Sequence, residues 1–315
     1  MKQKLESTRE GFGRGLLKAG ADKKVVSVNA DLSESCRTVD FKNKYPERFV
    51  EVGVAEQNLM GVAAGLALAG KIPFISSFAC FSPARNWDQL RISVCYSNLN
   101  VKIVGSHAGL ITGEDGASHQ ALEDIAITRC LPNMTVIVPC DAVEAEKAAI
   151  EAAKINGPVY IRVGRLKIPV ITKENSRFEL GKANVLRKGK DVAIVACGEM
   201  VYKALLAARL LEKENISASV VNCHTIKPID KNLIRIAKEV KAIATAEDHQ
   251  ITGGLGSAVS ELLSENYPVP VVRVGVKDTF GESGKPEELL KKYGLTENDI
   301  AKAAKKAIMM KNGKL

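Results

Sequence analysis

The sequence predicts an α/β protein made of two doubly wound domains with mostly parallel sheets. Three observations predict it. Apolar stretches of strand length alternate with helix-like stretches along nearly the whole chain. The alternation runs twice, interrupted by a polar, basic stretch at 166–189. The 315 residues suit two domains of roughly 150 residues each, and 46% apolar residues supply a sizeable core.

The elements follow in order. Residues 3–19 read as an amphipathic helix, and VVSVNADL (25–32) as a strand entering a loop. ERFVEVGV (47–54) is a second strand, and AEQNLMGVAAGLALA (55–69) a helix of small residues. Gly61 and Gly65, four apart on that helix, allow close packing against another helix. KIPFISSFA (71–79) is a strand, ARNWDQLRISVCYSN (84–98) a helix and NVKIVGS (100–106) a strand. A Gly-rich loop, HAGLITGEDGASHQ (107–120), comes next. A short helix (120–129), a strand (134–139), a helix (141–154) and a strand (158–164) complete the first unit.

Residues 166–189 read as an extended connector. The second series has strands at 191–198, 218–223, 241–248 and 269–276. Between them lie helices at 199–213, at 230–239 and after GGLG (253–256), with a helical tail beyond. Thr296 and Asp299 resemble a capping box at the start of the last helix. No short-period repeat occurs, which excludes a solenoid.

Composition narrows the function classes. The net charge is +9, but Lys and Arg are dispersed and no block of five or six like charges occurs. Anionic sugar phosphates or an anionic partner subunit account for this charge as well as nucleic acid does. The seven cysteines include no C-x-x-C pair and read as reduced thiols of a cytoplasmic protein. No apolar run approaches the ~18 residues of a membrane span.

Some residues carry chemistry. Glu56 opens a helix whose following turns are apolar or small. An acid there complements the helix macrodipole, or it is a partly buried carboxyl that shares a proton with a heterocyclic nitrogen. Phe78 and Phe81 stand at a strand end, where open α/β sheets place ligands. They are core residues, or a wall on which a flat ring stacks. The loop GSHAGLITGEDGASHQ gathers His107, Asp115 and His119, and the chain has only four histidines. Proton transfer and hydrogen bonding to hydroxyls suit this set better than a metal site. Arg9, Arg162 and Arg165 are candidate anion clamps. GGLG reads as a packing and interface feature that could also bind an anion.

These residues together resemble a known family. EVGVAEQNLMGVAAGLALAG (51–70), ISSFACF with ARNWDQLR (75–91) and VGSHAGLITGEDGASHQALEDIA (104–126) resemble the pyrimidine-binding domain of transketolases. NADLSES (29–35) and GPVYIRVGR (157–165) suit the same domain. AEDHQITGGLGSAV (246–259) and DTFGESGKPEELLKKYG (278–294) resemble the transketolase C-terminal domain. The resemblance implies a pyrimidine-binding domain over 1–166, a linker over 167–189 and a C-terminal domain over 190–315.

It also implies roles. Glu56 would hydrogen-bond N1′ of the aminopyrimidine of thiamine diphosphate, with Phe81 and Phe78 packing on that ring and Asp31 beside the cofactor. His107, Asp115 and His119 would line the sugar channel, with Asp115 on a donor hydroxyl and His107 and His119 holding hydroxyls or phosphate and relaying protons. Arg9, Ser35 and Arg165 would hold the sugar's terminal phosphate. The implied reaction moves a two-carbon glycolaldehyde unit from a ketose phosphate to an aldose phosphate, in the pentose phosphate pathway. Full-length relatives also carry a diphosphate-binding domain with a GDG motif and a downstream Asn for Mg²⁺. The nearest string here, GEDG (113–116), belongs to the channel loop. The resemblance therefore implies an N-terminal partner subunit that holds the diphosphate and Mg²⁺, in a heterotetramer. At 82–87, SPARNW replaces a stretch that carries another aromatic in many relatives. Three other readings share much of this pattern: the β subunit of 2-oxoacid dehydrogenases, deoxyxylulose-phosphate synthase, and a non-catalytic α/β scaffold.

Overall fold

The computed structural model describes residues 4–314. Positions 1–3 and 315, which the expected domains and the first expected helix include in part, lie outside the described residues. In chain order the strands are β1 (Leu5–Glu6), β2 (Val25–Asn29), β3 (Phe49–Glu51), β4 (Ile72–Phe78), β5 (Lys102–Ser106), β6 (Thr135–Ile137), β7 (Val159–Arg162), β8 (Ile168–Pro169), β9 (Asn184–Arg187), β10 (Val192–Ala196), β11 (Ala218–Asn222), β12 (Thr225–Lys227), β13 (Ile243–Gln250) and β14 (Val271–Val276). The helices are α1 (Thr8–Ala19), α2 (Val39–Lys44), α3 (Glu56–Leu68), α4 (Trp87–Gln89, widening into π-type turns over Leu90–Tyr96), α5 (Asp124–Arg129), α6 (Ala142–Lys154), α7 (Met200–Lys213), α8 (Asn232–Val240), α9 (Leu255–Asn266), α10 (Pro286–Lys292) and α11 (Glu297–Lys311).

Two α/β sheets result. The larger runs β12-β6-β7-β5-β4-β2-β3, and the smaller β14-β13-β10-β11-β9. All pairings inside them are parallel except at β12 and β9, which pair antiparallel at one edge of each sheet. The central strands are buried on both faces, as parallel strands covered by helices must be. From β2 the chain goes out to β3 and returns on the other side as β4. The crevice at the carboxyl ends of β2 and β4 is therefore a topological switch point.

Local chemistry sets several element ends. Ser7 and Glu10 form a capping box, so α1 starts at Thr8. Residues Leu5–Glu6, expected inside that helix, instead pair with β8. Thr296 and Asp299 do form the capping box read from the sequence. The expected strand 47–54 shortens to Phe49–Glu51, because a 3₁₀ turn fills Pro46–Arg48 and Gly53 turns the chain at φ +72°.

The stretch 167–189 is more structured than a connector. Its Asn184–Arg187 is an edge strand of the second sheet. Thr225–Lys227, a strand the apolar pattern does not announce, crosses back to pair with β6 in the first sheet. The two units also share a core. One apolar cluster joins Val136 and Val138 to Val195, Val221 and Ile226, and another joins Leu110, Ile111 and Leu122 to residues of β10, α7 and α11. Among the described residues no helix is long and apolar enough to cross a membrane.

Candidate active site

The carboxyl ends of β2, β4, β5 and β7 deliver most of the candidate residues to one crevice. Glu56 sits in the first turn of α3 and is only 3% exposed. Its Oε1 accepts from the Ser77 hydroxyl at 3.2 Å and its Oε2 from Arg85 at 3.2 Å. The Asn86 amide donates to the Glu56 carbonyl at 3.0 Å, tying α3 to the segment after β4. A buried carboxylate held by two donors is oriented before any ligand arrives.

Beside it are the aromatics. Phe78 and Phe81 stack with centroids 5.9 Å apart. Phe78 is buried, and His107 stacks on it at 3.9 Å. Phe81 is half-buried, and the Arg85 guanidinium lies 4.0 Å from its centroid. His119 meets Phe81 edge-on at 5.3 Å, and the Ser118 hydroxyl pairs with its Nδ1 at 2.9 Å. Arg85 thus bonds the Glu56 carboxylate while lying over an aromatic face. A planar nitrogen heterocycle with a proton to offer Glu56 matches the same two features, so these residues suit an aminopyrimidine.

His107 follows β5 with a left-handed backbone, φ +54°. Arg9 approaches its Nε2 at 3.2 Å, and Ser106 Oγ lies 2.9 Å from Nδ1. Arg9 only donates, so Nε2 accepts and Nδ1 carries the proton. Burial, then the nearby Arg9, Arg165, His119 and Arg37, push the His107 pKa down to about 3. His107 is therefore a neutral hydrogen-bonding group. Asp31 and Arg37 also take positive φ, at 59° and 61°. Such backbone strain concentrates at functional sites.

The candidate clamp residues are engaged within the chain. Arg9 donates to the Ser35 backbone carbonyl at 3.0 Å, not to its hydroxyl. Its Nε is buried without a partner, a donor aimed at something the chain does not supply. Burial, Arg37 and Arg165 lower the Arg9 pKa, the signature of crowded positive charge. Arg165 pairs with Asp115 at 2.9 Å, so these two candidates engage each other. Asp31 stands apart: its side chain is exposed, and its backbone N–H donates to Glu51 at 2.7 Å.

Two sequence expectations are corrected. Arg162 is not a clamp for a ligand. It is 4% exposed, donates to Asp124 at 2.9 Å and to the Asp248 carbonyl at 2.7 Å, and is a buried structural cation. The helix start at GGLG is already occupied by a carboxyl of this chain, because Glu247 accepts from the N–H groups of Leu255 and Gly256 at 2.6 and 2.8 Å. A Cβ at Gly61 or Gly65 would meet nothing within 4 Å, so no helix among the described residues packs on them.

Sequence reading missed Arg85, Arg37 and Asp248. The signal for Arg85 was its place four residues after Phe81, one turn on. Nothing local marks the other two, since each acts on a distant segment.

Comparison with known proteins places the chain. Residues 7–170 match the family described as transketolase, pyrimidine binding domain, and residues 181–300 match transketolase, C-terminal domain. The solved structure of a split-gene transketolase, an inactive β4 tetramer, superposes with a TM-score of 0.91 at 52% identity, covering 97% of this chain and 99% of that one. A 6-deoxy-6-sulfo-D-fructose transketolase subunit of Clostridium sp. (strain MSTE9) is 46% identical over 93% of this chain and 92% of its own length. An apulose-4-phosphate transketolase subunit from Phocaeicola vulgatus is 41% identical over 96% of this chain and 98% of its own. With both domain matches and relatives similar over nearly their full length, the chain belongs to the transketolase family, among relatives of the split C-terminal subunit type.

Proposed function

We propose that this chain is the C-terminal subunit of a split transketolase. With an N-terminal subunit it completes a thiamine-diphosphate site and transfers a glycolaldehyde unit from a ketose phosphate to an aldose phosphate. The observation that carries the reading is that one planar cation, Arg85, both bonds the buried Glu56 carboxylate and lies over the Phe81 ring. The bound cofactor supplies a nucleophilic carbon and an electron sink for cleavage of a carbon–carbon bond. Glu56 holds a proton at the aminopyrimidine nitrogen, with Ser77 fixing the carboxylate. Phe81, backed by Phe78, gives that ring its platform, with Asp31 at the rim. His119, half-buried beside Phe81, moves protons to and from substrate oxygens, and neutral His107 fixes hydroxyl positions. Asp115 takes a substrate hydroxyl. Arg9 and Arg165, with the Ser35 segment behind Arg9, take the terminal anion of the sugar.

The functional division follows as 1–166 for ring and sugar, 190–315 for the second domain and 167–189 between them. Need for a partner is supported by α3. Beyond its polar first turn that helix carries only apolar or small residues, yet it leaves Gly61 and Gly65 open and Leu68 74% exposed. An N-terminal subunit carrying the diphosphate and Mg²⁺ would cover this face, in a cytoplasmic heterotetramer. The names of the relatives indicate that their sugars differ beyond the carbons handled, with a sulfonate or a phosphate as the anion.

The test is co-expression with the cognate N-terminal subunit. Ketol transfer from xylulose 5-phosphate to ribose 5-phosphate, with thiamine diphosphate and Mg²⁺, is the expected result. Equal activity from this chain alone would refute the subunit reading. Pyruvate decarboxylation by the pair, without ketol transfer, would favour the 2-oxoacid dehydrogenase alternative.

A further inference from the structure

The second domain carries two motifs, AEDHQ and TFGESG, that the proposed chemistry leaves unused. Both converge on the loop that bears His107, Asp115 and His119. Asp248, 1% exposed on β13, directs its carboxylate at the start of that loop. Its Oδ1 accepts the Leu110 N–H at 3.0 Å and its Oδ2 the Ile111 N–H at 3.2 Å. These N–H groups open a 3₁₀ turn, Leu110–Asp115, which has no side-chain cap of its own. Asp248 caps it from 138 residues away. Gly109 admits the carboxylate: it lies at φ +82°, and a Cβ there would stand 2.1 Å from Asp248 Oδ2. The turn is tied in its own right to His107, whose carbonyl accepts from Thr112 at 2.6 Å.

The second motif grips the far end. Gln120, next to His119, donates to the Glu282 carbonyl at 2.9 Å. Ser283 donates to the carbonyl of Glu114, next to Asp115, at 2.6 Å. Gln250 N–H reaches the Leu122 carbonyl at 2.8 Å.

The Asp248 carboxylate has a built surrounding. Arg162 lies behind it, bonded to its carbonyl and to Asp124. Glu199, at the start of α7, feels the Asp248 charge and lines an apolar cavity of about 240 Å³. Burial and the Asp248 charge push Glu199 up to about 8. Asp248 accepts both loop N–H groups.

We propose that Asp248 is a positioning residue: from the second domain it fixes the substrate loop, holding His107, Asp115 and His119 in register with Glu56 and Phe81. The catalytic consequence rests on the proposed transketolase reaction; the positioning of the loop does not. The second domain is thereby the support of the substrate loop, and its two motifs are the clasp.

Two measurements test this. Hydrogen exchange is followed on the full chain without cofactor or partner, for the wild type, Asp248→Asn and Glu199→Gln. Asp248→Asn leaves one N–H facing an amide, so the 107–120 segment should exchange about tenfold faster, with β10 and β11 unchanged. Glu199→Gln, a permanent donor to Asp248, should exchange like the wild type. Unchanged exchange in Asp248→Asn, or loss of protection throughout, would overturn the proposal. In the assembled pair, Asp248→Asn should lower kcat/KM for the ketose phosphate about tenfold or more. Its half-saturating cofactor concentration should stay within about twofold, because Glu56 and Phe81 lie on other elements. Faster exchange with unchanged kcat/KM would remove the catalytic part. If the wild-type pair lacks ketol transfer but the exchange difference appears, the reaction fails and the clasp stands.

Discussion

Arg85 donates to Glu56 at 3.2 Å and turns its plane toward Phe81, 4.0 Å from that ring. Arg85 is half exposed, whereas Glu56 is buried, so the cation caps the carboxylate from the solvent side. The contact combines a partly exposed ion pair with a cation–π contact, each worth roughly 0.5–1 kcal/mol.

Arg85 competes for the surfaces that an aminopyrimidine uses. Arg85→Ala in the assembled pair should tighten thiamine diphosphate about fivefold, the equivalent of roughly 1 kcal/mol. Cofactor titration followed by activity or intrinsic fluorescence reads this. Weaker binding would mean that Arg85 stays with the cofactor as a ligand.

Glu56→Gln removes the acid but keeps most of the shape. Turnover of the pair should fall about 10²–10⁴-fold, as loss of a positioned acid–base group does. Thermal unfolding should change little, since Ser77 and Asn86 retain partners. A fully active variant would leave Glu56 as a helix-dipole charge alone.

Arg9 has a buried, unpartnered Nε beside a crowded positive patch. Arg9→Ala should raise KM for a phosphorylated ketose about tenfold or more, the scale of one charge-assisted hydrogen bond. For the unphosphorylated sugar, kcat/KM should move little. Equal losses on both sugars would place Arg9 away from the anion.

Stability should depend on pH with opposite signs at two places. The Glu199 pKa rises from 4.5 to about 8 in the folded chain. The folded state therefore binds more protons in that window, and stability falls as pH rises through it. Glu199→Gln should lose this slope, so its Tm should drop less than the wild type's between about pH 6 and about pH 8.5. Buried His107 shifts from 6.5 to about 3, so it favours the folded chain above that window and costs stability as pH falls through it. Parallel Tm curves for wild type and Glu199→Gln would refute the raised Glu199 pKa.

Gly109→Ala should destabilise by about 1–3 kcal/mol, through a positive φ and a Cβ 2.1 Å from the Asp248 carboxylate. Chemical denaturation measures it. A neutral result would show that the loop relaxes away from Asp248 without cost.

Much of this molecule was legible in one dimension. Strands such as Val25–Asn29, Ile72–Phe78 and Val192–Ala196 are continuous apolar or small runs, because parallel strands are buried on both faces. The Thr296–Asp299 cap was legible because a capping box spans only four residues. Thr225–Lys227 was not: it follows β11 within a few residues, and its partner strand lies in the other sheet. The 3₁₀ turn at Pro46–Arg48 shortened a strand whose β-branched content had suggested more.

The sequence alone determined the two α/β series, the aromatic strand end at Phe78 and Phe81, the acid at Glu56 and the loop with His107 and His119. Each is a pattern of neighbours along the chain, where propensity and spacing act. Tertiary structure decided which charges meet. It gave Arg162 to Asp124, Arg165 to Asp115, Arg85 to Glu56 and the Leu110 and Ile111 N–H groups to Asp248. The reason is physical. A charge brought out of water takes whatever partner the packed sheets leave within hydrogen-bond reach, and for Asp248 that partner is 138 residues away.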